Sequence, residues 1–185
     1  MLFVIALAVL ALIVAFAIVA YNRLVSLSQR SNEAWSDVDV QLKKRSDLVP
    51  NVVETVKGYA AHERNTFDAV VRARGAAAAA VSPEARAQAE GQLTQALRQL
   101  FAVAEAYPEL KASANFQALQ GTLNDIENNI QEARRYYNAV VRDLNTTVDT
   151  FPSNVVASFF RFVKRAYFEP DRPEDRQVPR VSFGS

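Results

Sequence analysis

The stretch FQALQGTLNDIENNIQEARRYYNAVVRDLNTTV, residues 116–148, decides the fold of this 185-residue chain. Apolar or small residues recur along it at spacings of three and four, namely Phe116, Leu119, Leu123, Ile126, Ile130, Ala133, Tyr137, Val140, Leu144 and Val148. That period is typical of a helix with one continuous apolar seam. It predicts a single helix from Ser113 or Asn115 to about Val148, roughly 50 Å long.

A second helix is predicted just before this one. Ser82, Pro83 and Glu84 place a capping hydroxyl, a proline suited to the first helical position and an acid in the first turn. An apolar stripe then continues until Tyr107 and Pro108 end the helix.

The first helix of the soluble part is predicted to be the longest. Apolar residues follow helical spacing from Leu24 to Val70, and their phase survives across Pro50. We therefore favour one kinked helix from Leu24 to Arg74, roughly 75 Å long, over a break at Pro50. Helices with short connections pack as antiparallel neighbours, so we expect an all-α, up-and-down bundle of long antiparallel helices.

The length of this first helix motivates a hypothesis of self-association. A helix of roughly 75 Å is about twice as long as the helix that begins at Pro83, so part of it would lack a partner. A second copy of the chain, packed along Trp35, Val38 and Leu42, would cover the excess.

The N-terminal segment is predicted to cross a membrane. Leu2 to Ala20 is a run of 19 apolar residues, which spans roughly 28 Å as a helix and approaches the hydrocarbon thickness of a bilayer. We expect an uncleaved anchor rather than a signal peptide, because no basic region precedes the run. Tyr21 suits the interface, and Arg23 and Arg30 favour a cytoplasmic C-terminal domain by the positive-inside rule.

These segments divide the chain into three parts. We predict a transmembrane helix at 1–22, a helical-bundle domain at 23–168 and a disordered polar tail at 169–185. Within the domain, a short amphipathic stretch runs from Val155 to Val163. Around its end, aromatic residues are interspersed with Arg161, Lys164 and Arg165, namely Phe159, Phe160, Phe162, Tyr167 and Phe168. Packing against the bundle is favoured over an interfacial membrane helix for this segment.

Composition removes most catalytic classes. With no cysteine and a single histidine, His62, the chain excludes thiol catalysis and sites built from several histidines. A net charge of +1 argues against a nucleic-acid binder. We therefore predict no catalytic, metal-binding or cofactor-binding residue and no bound nucleic acid.

Two charged residues lie on or beside positions that the apolar phase would bury. Arg45 and Glu63 would each cost several kcal/mol if buried without a partner. We expect each to meet an opposite charge or a polar group on a neighbouring helix and to fix the register of the bundle.

Several motifs, taken together, resemble those of the LemA family, a bacterial group with an N-terminal membrane segment and a helical-bundle domain. They are YNRLV at 21–25, EAWSDVDVQL at 33–42, RSDLVPNVVETVKGY at 45–59, AYPEL at 106–110, ARRYYN at 133–138 and FPSN at 151–154. The resemblance implies a single-pass protein of the bacterial inner membrane and supplies no enzymatic activity or cofactor. It also implies structural or interaction roles at matching positions, which are Asp47, Pro50, Asn51, Arg134, Tyr137 and Asn138; Trp35 and Arg45 complete our candidate set.

From these observations we expect a membrane-anchored, non-catalytic protein. Long helices without convergent reactive groups build surfaces better than pockets, so the bundle is predicted to present a helical surface to a membrane or cytoplasmic protein partner. A self-assembling structural membrane protein, a homo-oligomer formed through helix seams, is the alternative. An enzyme would require two carboxylates that folding brings together in a pocket.

Overall fold

A computed structural model describes residues 1–169, which form six helices and no strand. The helices are α1 (Leu2–Lys57), α2 (Arg64–Ala79), α3 (Pro83–Ala104), α4 (Pro108–Ala112), α5 (Ala114–Asp149) and α6 (Ser153–Phe159). The predicted all-α class is confirmed. The predicted disordered tail lies, from residue 170 onward, outside the described residues.

α1 and α5 form the central antiparallel pair. Leu24 of α1 shares a buried cluster with Leu144 of α5 at one end of the pair. Val49 of α1 shares another with Leu123 at the opposite end. α5 spans 36 residues, so the predicted single helix over this stretch is confirmed.

The N-terminal part of α1 extends beyond the bundle. Among residues 1–169, α1 is the one helix long and apolar enough to cross a membrane, and its most apolar window is entirely exposed. The first buried residue of α1 is Ala20, where packing against the rest of the chain begins. Of the segment predicted to cross the bilayer, Ala17 and Ala20 in its last turn contact the core, and the residues before them are exposed.

The half of the α1–α5 pair farthest from the apolar segment is covered by the α2–α3 hairpin. α3 begins as predicted, because the Ser82 hydroxyl accepts a hydrogen bond from the Ala85 N–H at 3.2 Å and Pro83 occupies the first turn. Near the other end of α3, Phe101 packs on Phe116 of α5 with ring centroids 5.9 Å apart.

The prediction of one helix from Leu24 to Arg74 is wrong. α1 continues through Pro50, as its phase indicated, but ends at Lys57. In the following turn the N–H groups of Tyr59 and Ala60 both donate to the Val56 carbonyl, at 3.0 and 2.9 Å. The apolar phase resumes in α2, which is why spacing alone did not reveal the reversal.

This reversal removes the motive for self-association along α1. The part of α1 beyond Ala20 nearly matches α5 in length, so no long excess needs a second copy. Val38 and Leu42 are 0% exposed within the bundle of a single chain. Self-association along Trp35, Val38 and Leu42 thus loses its geometric reason and stays a prediction.

α6 and the residues after it cover the half of the α1–α5 pair nearest the apolar segment. Val156 and Ala157 of α6 pack into the cluster that contains Ala20 and Leu24. The chain then returns along α5 without regular structure, as a C-terminal strap formed by residues 162–169. The prediction of core packing is confirmed for Phe168, which is buried, and Phe162 packs against the cluster of Ala20 and Leu24. It is wrong for Phe159 and Phe160, which are exposed because the inward face of α6 is formed by smaller side chains, and for Tyr167, which is 39% exposed.

Candidate functional site

The guanidinium of Arg45 lies where α1, α3 and α5 meet. Arg45 is 2% exposed and forms ion pairs with Glu90 of α3 and Glu127 of α5. Its Nη1 also donates to Thr94 Oγ1 at 2.9 Å, and its Nη2 donates to the Glu90 carbonyl at 3.3 Å. The buried charge indicated by the phase of α1 is thus paired across three helices.

The ion pairs extend back to α1 through Arg86. Arg86 Nε donates to Glu90 Oε1 at 3.0 Å, and Arg86 Nη2 lies 3.4 Å from Asp39 Oδ1. Glu63, the other charge expected in the seam, lies instead at the N-terminal cap of α2 and is half-exposed. The prediction for Glu63 is wrong because α1 ends before reaching it.

A cleft of about 220 Å³ adjoins the Arg45 cluster and opens toward a wider groove of about 570 Å³ on the surface of α5. Gln131 and Arg134 line both. Besides Arg45 and its partners Glu90 and Glu127, four arginines and Glu169 of the C-terminal strap line this continuous surface, which we call the arginine groove; the four arginines are Arg98, Arg134, Arg135 and Arg142. None of the four has a carboxylate oxygen within 4.0 Å among residues 1–169.

The C-terminal strap forms one wall of the arginine groove and is held by two asparagines of α5. Asn145 accepts a hydrogen bond from the Arg165 N–H at 2.8 Å and donates to the Arg165 carbonyl at 2.9 Å. Asn138 makes the same pair of bonds to Phe168, at 2.9 and 3.2 Å. Each side-chain amide therefore satisfies both backbone groups of one strap residue.

An aromatic cluster fixes the strap against α1. Phe168 is buried, and Trp35 packs on it and on Tyr137 with ring centroids 5.5 and 5.3 Å apart. The Tyr137 hydroxyl donates to the Ala166 carbonyl at 2.9 Å. Burial raises the pKa of Tyr137 above 10.0; the nearby charge of Arg165 opposes this effect and that of Glu84 adds to it.

Pro50 serves a different contact. Proline has no N–H, so the carbonyl four residues earlier, on Ser46, lacks its helical donor. Arg74 of α2 supplies one, since its Nε donates to the Ser46 carbonyl at 2.8 Å. Asp47 and Asn51 are exposed beside Pro50. Pro50 thus frees a carbonyl that α2 uses to dock on α1.

The structure brings together five of the eight candidate residues. Arg45, Arg134, Tyr137, Asn138 and Trp35 gather around the junction of α1, α5 and the strap. Asp47, Pro50 and Asn51 lie apart from them, toward α2.

Sequence reasoning missed the roles of Glu90, Glu127 and Asn145. Two of these had a usable signal. Glu90 precedes Leu93 and Leu97 in the phase of the buried stripe of α3, and Asn145 follows Asn138 by one heptad.

The acidic side chains that line the cleft are held in ion pairs and are not free to act as an acid or a base. Glu90 and Glu127 line the cleft beside Arg45, but both are ion-paired to its guanidinium. In the described part of the chain, no three side chains from among His, Asp and Glu gather as a metal-ligand set. His62 is exposed in the turn before α2.

Comparison with known proteins places these features in a family. Residues 34–183 match the model of the LemA family. Two magnetosome proteins of Paramagnetospirillum magneticum, MamQ 1 and MamQ 2, are each 24% identical to the chain over 89% of its length and 70% of their own. The magnetosome protein MamQ of Magnetospirillum gryphiswaldense is 22% identical over 85% of this chain and 68% of its own.

The family match includes α2 to α6, the strap and most of the part of α1 that packs in the bundle. It therefore includes the ion pairs of Arg45, the hydrogen bonds from Asn138 and Asn145 to the strap, and the arginine groove. Together with the long apolar start of α1, it identifies a membrane-associated helical protein, and this chain belongs to the LemA family.

Proposed function

We propose that this protein is a membrane-anchored, non-catalytic interaction module, and that its arginine groove binds an acidic segment of a partner protein. One observation supports the proposal most: Arg98, Arg134, Arg135 and Arg142 line one continuous groove without a carboxylate partner among residues 1–169. Guanidinium groups bind carboxylates in bidentate fashion, so such a groove favours an acidic ligand.

The walls of the groove are preorganised. Asn138 and Tyr167 line it beside the strap, and Asn138 also holds the strap to α5. Arg134 is half-buried, so part of its desolvation has already occurred in the free protein. A ligand therefore loses less free energy to ordering and desolvation than it would on a flexible surface.

The position of the groove suits a partner near the membrane. Trp35 contacts Tyr137 in the same turns of α5 that form the groove, and it lies 15 residues beyond Ala20. That separation corresponds to about 22 Å along α1. We propose that the domain faces the cytoplasm at the bacterial inner membrane, since Arg23 and Arg30 follow the apolar segment closely.

The ion pairs of the cleft support a non-catalytic role. Glu90 and Glu127, which line the cleft, are both paired with Arg45 rather than free to act as an acid and a base.

The proposal is tested by photocrosslinking in cells with the full-length chain. A photoreactive amino acid at Gln131, inside the groove, is compared with one at Asn124, exposed elsewhere on α5. We expect a dominant foreign product from position 131 that is absent from position 124. A ladder of self-products from position 131 would instead favour the self-assembling alternative and contradict the proposal.

A charge-matched pair of variants makes the test specific. Arg134→Glu with Arg135→Glu should abolish the foreign product, whereas Lys43→Glu with Lys44→Glu, on the exposed side of α1, makes the same charge change outside the groove and should preserve it. In vitro, a fluorescent hexaglutamate peptide should bind the full chain in nanodiscs about tenfold more weakly after the groove substitutions, a loss of about 1.4 kcal/mol. Equal effects of the two pairs would contradict a role for the groove.

A further inference from the structure

We propose that the outward face of α6, together with its flanking turns, is a second membrane-contact surface, which rests on the bilayer interface beside the transmembrane segment. This contact is separate from the arginine groove and extends the proposed function. Four large apolar side chains on this surface are strongly exposed: Phe151 82%, Val155 61%, Phe159 80% and Val163 75%. We call them the α6 apolar patch.

The depth of α6 follows from its contacts with α1. Val156 and Ala157 pack in one cluster with Ala20 and Leu24. Tyr21 packs on Phe160 with ring centroids 4.6 Å apart. The apolar run ends at Ala20, after roughly 28 Å of helix that fills the hydrocarbon of a bilayer. α6 therefore lies at the level where hydrocarbon gives way to headgroups.

The inner face of α6 does not need these exposed side chains for packing. Its buried positions are the smaller residues Val156 and Ala157, while Phe159 projects away from the bundle. Contiguous apolar surface on a folded domain usually marks an interaction site. Here the patch is on a helix that packs on α1 at Ala20 and Leu24, where the exposed apolar segment ends, so lipid is the occupant that the position favours.

Arg161 supplies a second, independent observation. α6 ends in a Schellman motif, in which the Phe162 N–H donates to the Ala157 carbonyl at 2.9 Å and the Arg161 N–H to the Ser158 carbonyl at 3.2 Å. Arg161 has φ 58°, a left-handed conformation that favours glycine. An exposed arginine at this position places a cation beside the patch, which is the pattern of interfacial segments that contact anionic lipid.

The absence of cysteine allows a direct test with single-cysteine spin labels on the full chain. Phe159→Cys and Val155→Cys are labelled and reconstituted in vesicles of phosphatidylcholine and phosphatidylglycerol. Accessibility to oxygen, which concentrates in lipid, is compared with accessibility to a water-soluble nickel chelate. Ile18→Cys is the reference for the membrane and Asn124→Cys the reference for water.

We expect labels at 155 and 159 to favour oxygen, as the label at 18 does, and the label at 124 to favour nickel. Accessibility at 155 and 159 that equals the value at 124 would overturn the proposal. Spin–spin broadening at 159 that disappears on dilution with unlabelled chain would also overturn it, because a second copy would then cover the patch.

A further variant tests the role of the cation. Arg161→Gly keeps a residue suited to the left-handed turn while removing the charge. In anionic vesicles, the label at 159 should then move outward to the depth that the parent shows in pure phosphatidylcholine. An unchanged depth in anionic vesicles would refute the contribution of Arg161.

Discussion

Arg45 is the residue on which the packing of three helices depends. Its charge is removed from water at 2% exposure, which costs several kcal/mol unless partners compensate. Glu90, Glu127 and Thr94 compensate for it, and they come from two other helices. Because these polar groups meet in one relative placement of the helices, we predict that the cluster selects a register that apolar side chains alone would leave less defined.

We predict that Arg45→Ala lowers the free energy of unfolding by about 3–5 kcal/mol, because Glu90 would stay buried after losing a partner. Lys44→Ala, the exposed neighbour, should leave this free energy nearly unchanged. Urea unfolding of the detergent-solubilised full chain, followed by circular dichroism, measures both. Equal midpoints for the two variants would show that the cluster does not contribute as described.

Because of Tyr137, we expect the free energy of unfolding to depend on pH in the alkaline range. Its pKa in the folded protein is raised above 10.0, chiefly by burial, and only the neutral phenol can donate to the Ala166 carbonyl. The stabilisation is therefore fully present below pH 10.0 and is lost as pH rises through the folded-state pKa.

We predict that Tyr137→Phe costs about 1 kcal/mol at neutral pH, where it removes one hydrogen bond. Above pH 10.0 the stability of the parent should fall more steeply than that of the variant, so the two curves converge. Urea midpoints measured across this range provide the test. Parallel curves would show that the phenol of Tyr137 does not titrate in linkage with folding.

At the scale of elements, the strap is held because two distances match: the distance between two asparagines along α5 and the distance between the two strap residues that they bind. Asn138 and Asn145 are seven residues apart on a helix, a rise of about 10.5 Å. Phe168 and Arg165 are three residues apart in an extended chain, a rise of about 10 Å. Asparagines one heptad apart can therefore hold every third residue of an antiparallel extended segment.

We predict that Asn138→Ala exposes the Phe168 N–H and that Asn145→Ala exposes the Arg165 N–H, because each loses its acceptor. Hydrogen exchange at the affected amide should accelerate by about tenfold or more, equivalent to about 1.4 kcal/mol. Asn128→Ala, on an exposed position of α5, is the control. Unchanged exchange at both amides would mean that something other than the asparagines holds the strap.

The joint between α1 and α2 depends on Pro50 and Arg74 acting on one carbonyl. We predict that Arg74→Met costs about 1.5–3 kcal/mol in the parent, because a charged donor to the Ser46 carbonyl is lost. In the Pro50→Ala background the cost should be about 1 kcal/mol smaller, since the restored N–H can then reach that carbonyl. Urea unfolding of the four proteins in this cycle measures the coupling, and strict additivity would contradict it.

Elements that a local sequence pattern encodes were predicted, and elements that depend on tertiary contacts were missed. α5 and the start of α3 follow from local patterns, an apolar seam and a Ser-Pro cap, and both were found. The end of α1 at Lys57 was missed because the apolar phase resumes at Phe67 after the turn. The strap was missed because no periodicity marks an extended segment that side-chain amides hold in place.

At the scale of the whole molecule, sequence indicated an apolar anchor and a helical bundle, but not which elements cover each half of the α1–α5 pair. Part of the candidate site was predictable in the same way. The phase of α1 revealed that Arg45 would be buried and need a partner. Its partners Glu90 and Glu127 lie 45 and 82 positions away, so only tertiary packing could identify them.

The arrangement has a mechanical consequence for the proposed function. One helix carries the chain from its apolar segment to the far end of the bundle without interruption. The contacts of Ala20 and Leu24 with α6 and of Leu24 with Leu144 begin where the apolar run ends. We therefore predict that α1 holds the bundle, and with it the arginine groove, at a fixed height and orientation relative to the bilayer rather than on a flexible tether.

Hydrogen exchange of the full chain in lipid nanodiscs tests this continuity most directly. We predict uninterrupted protection of α1 amides from the bilayer-embedded turns through 20–28 and onward to Val56, with Pro50 contributing no amide. Fast exchange within 20–28 would reveal a hinge between membrane and bundle, and fast exchange across 5–18 would show that the segment is not in the bilayer. Either result would contradict a rigid, membrane-spanning α1.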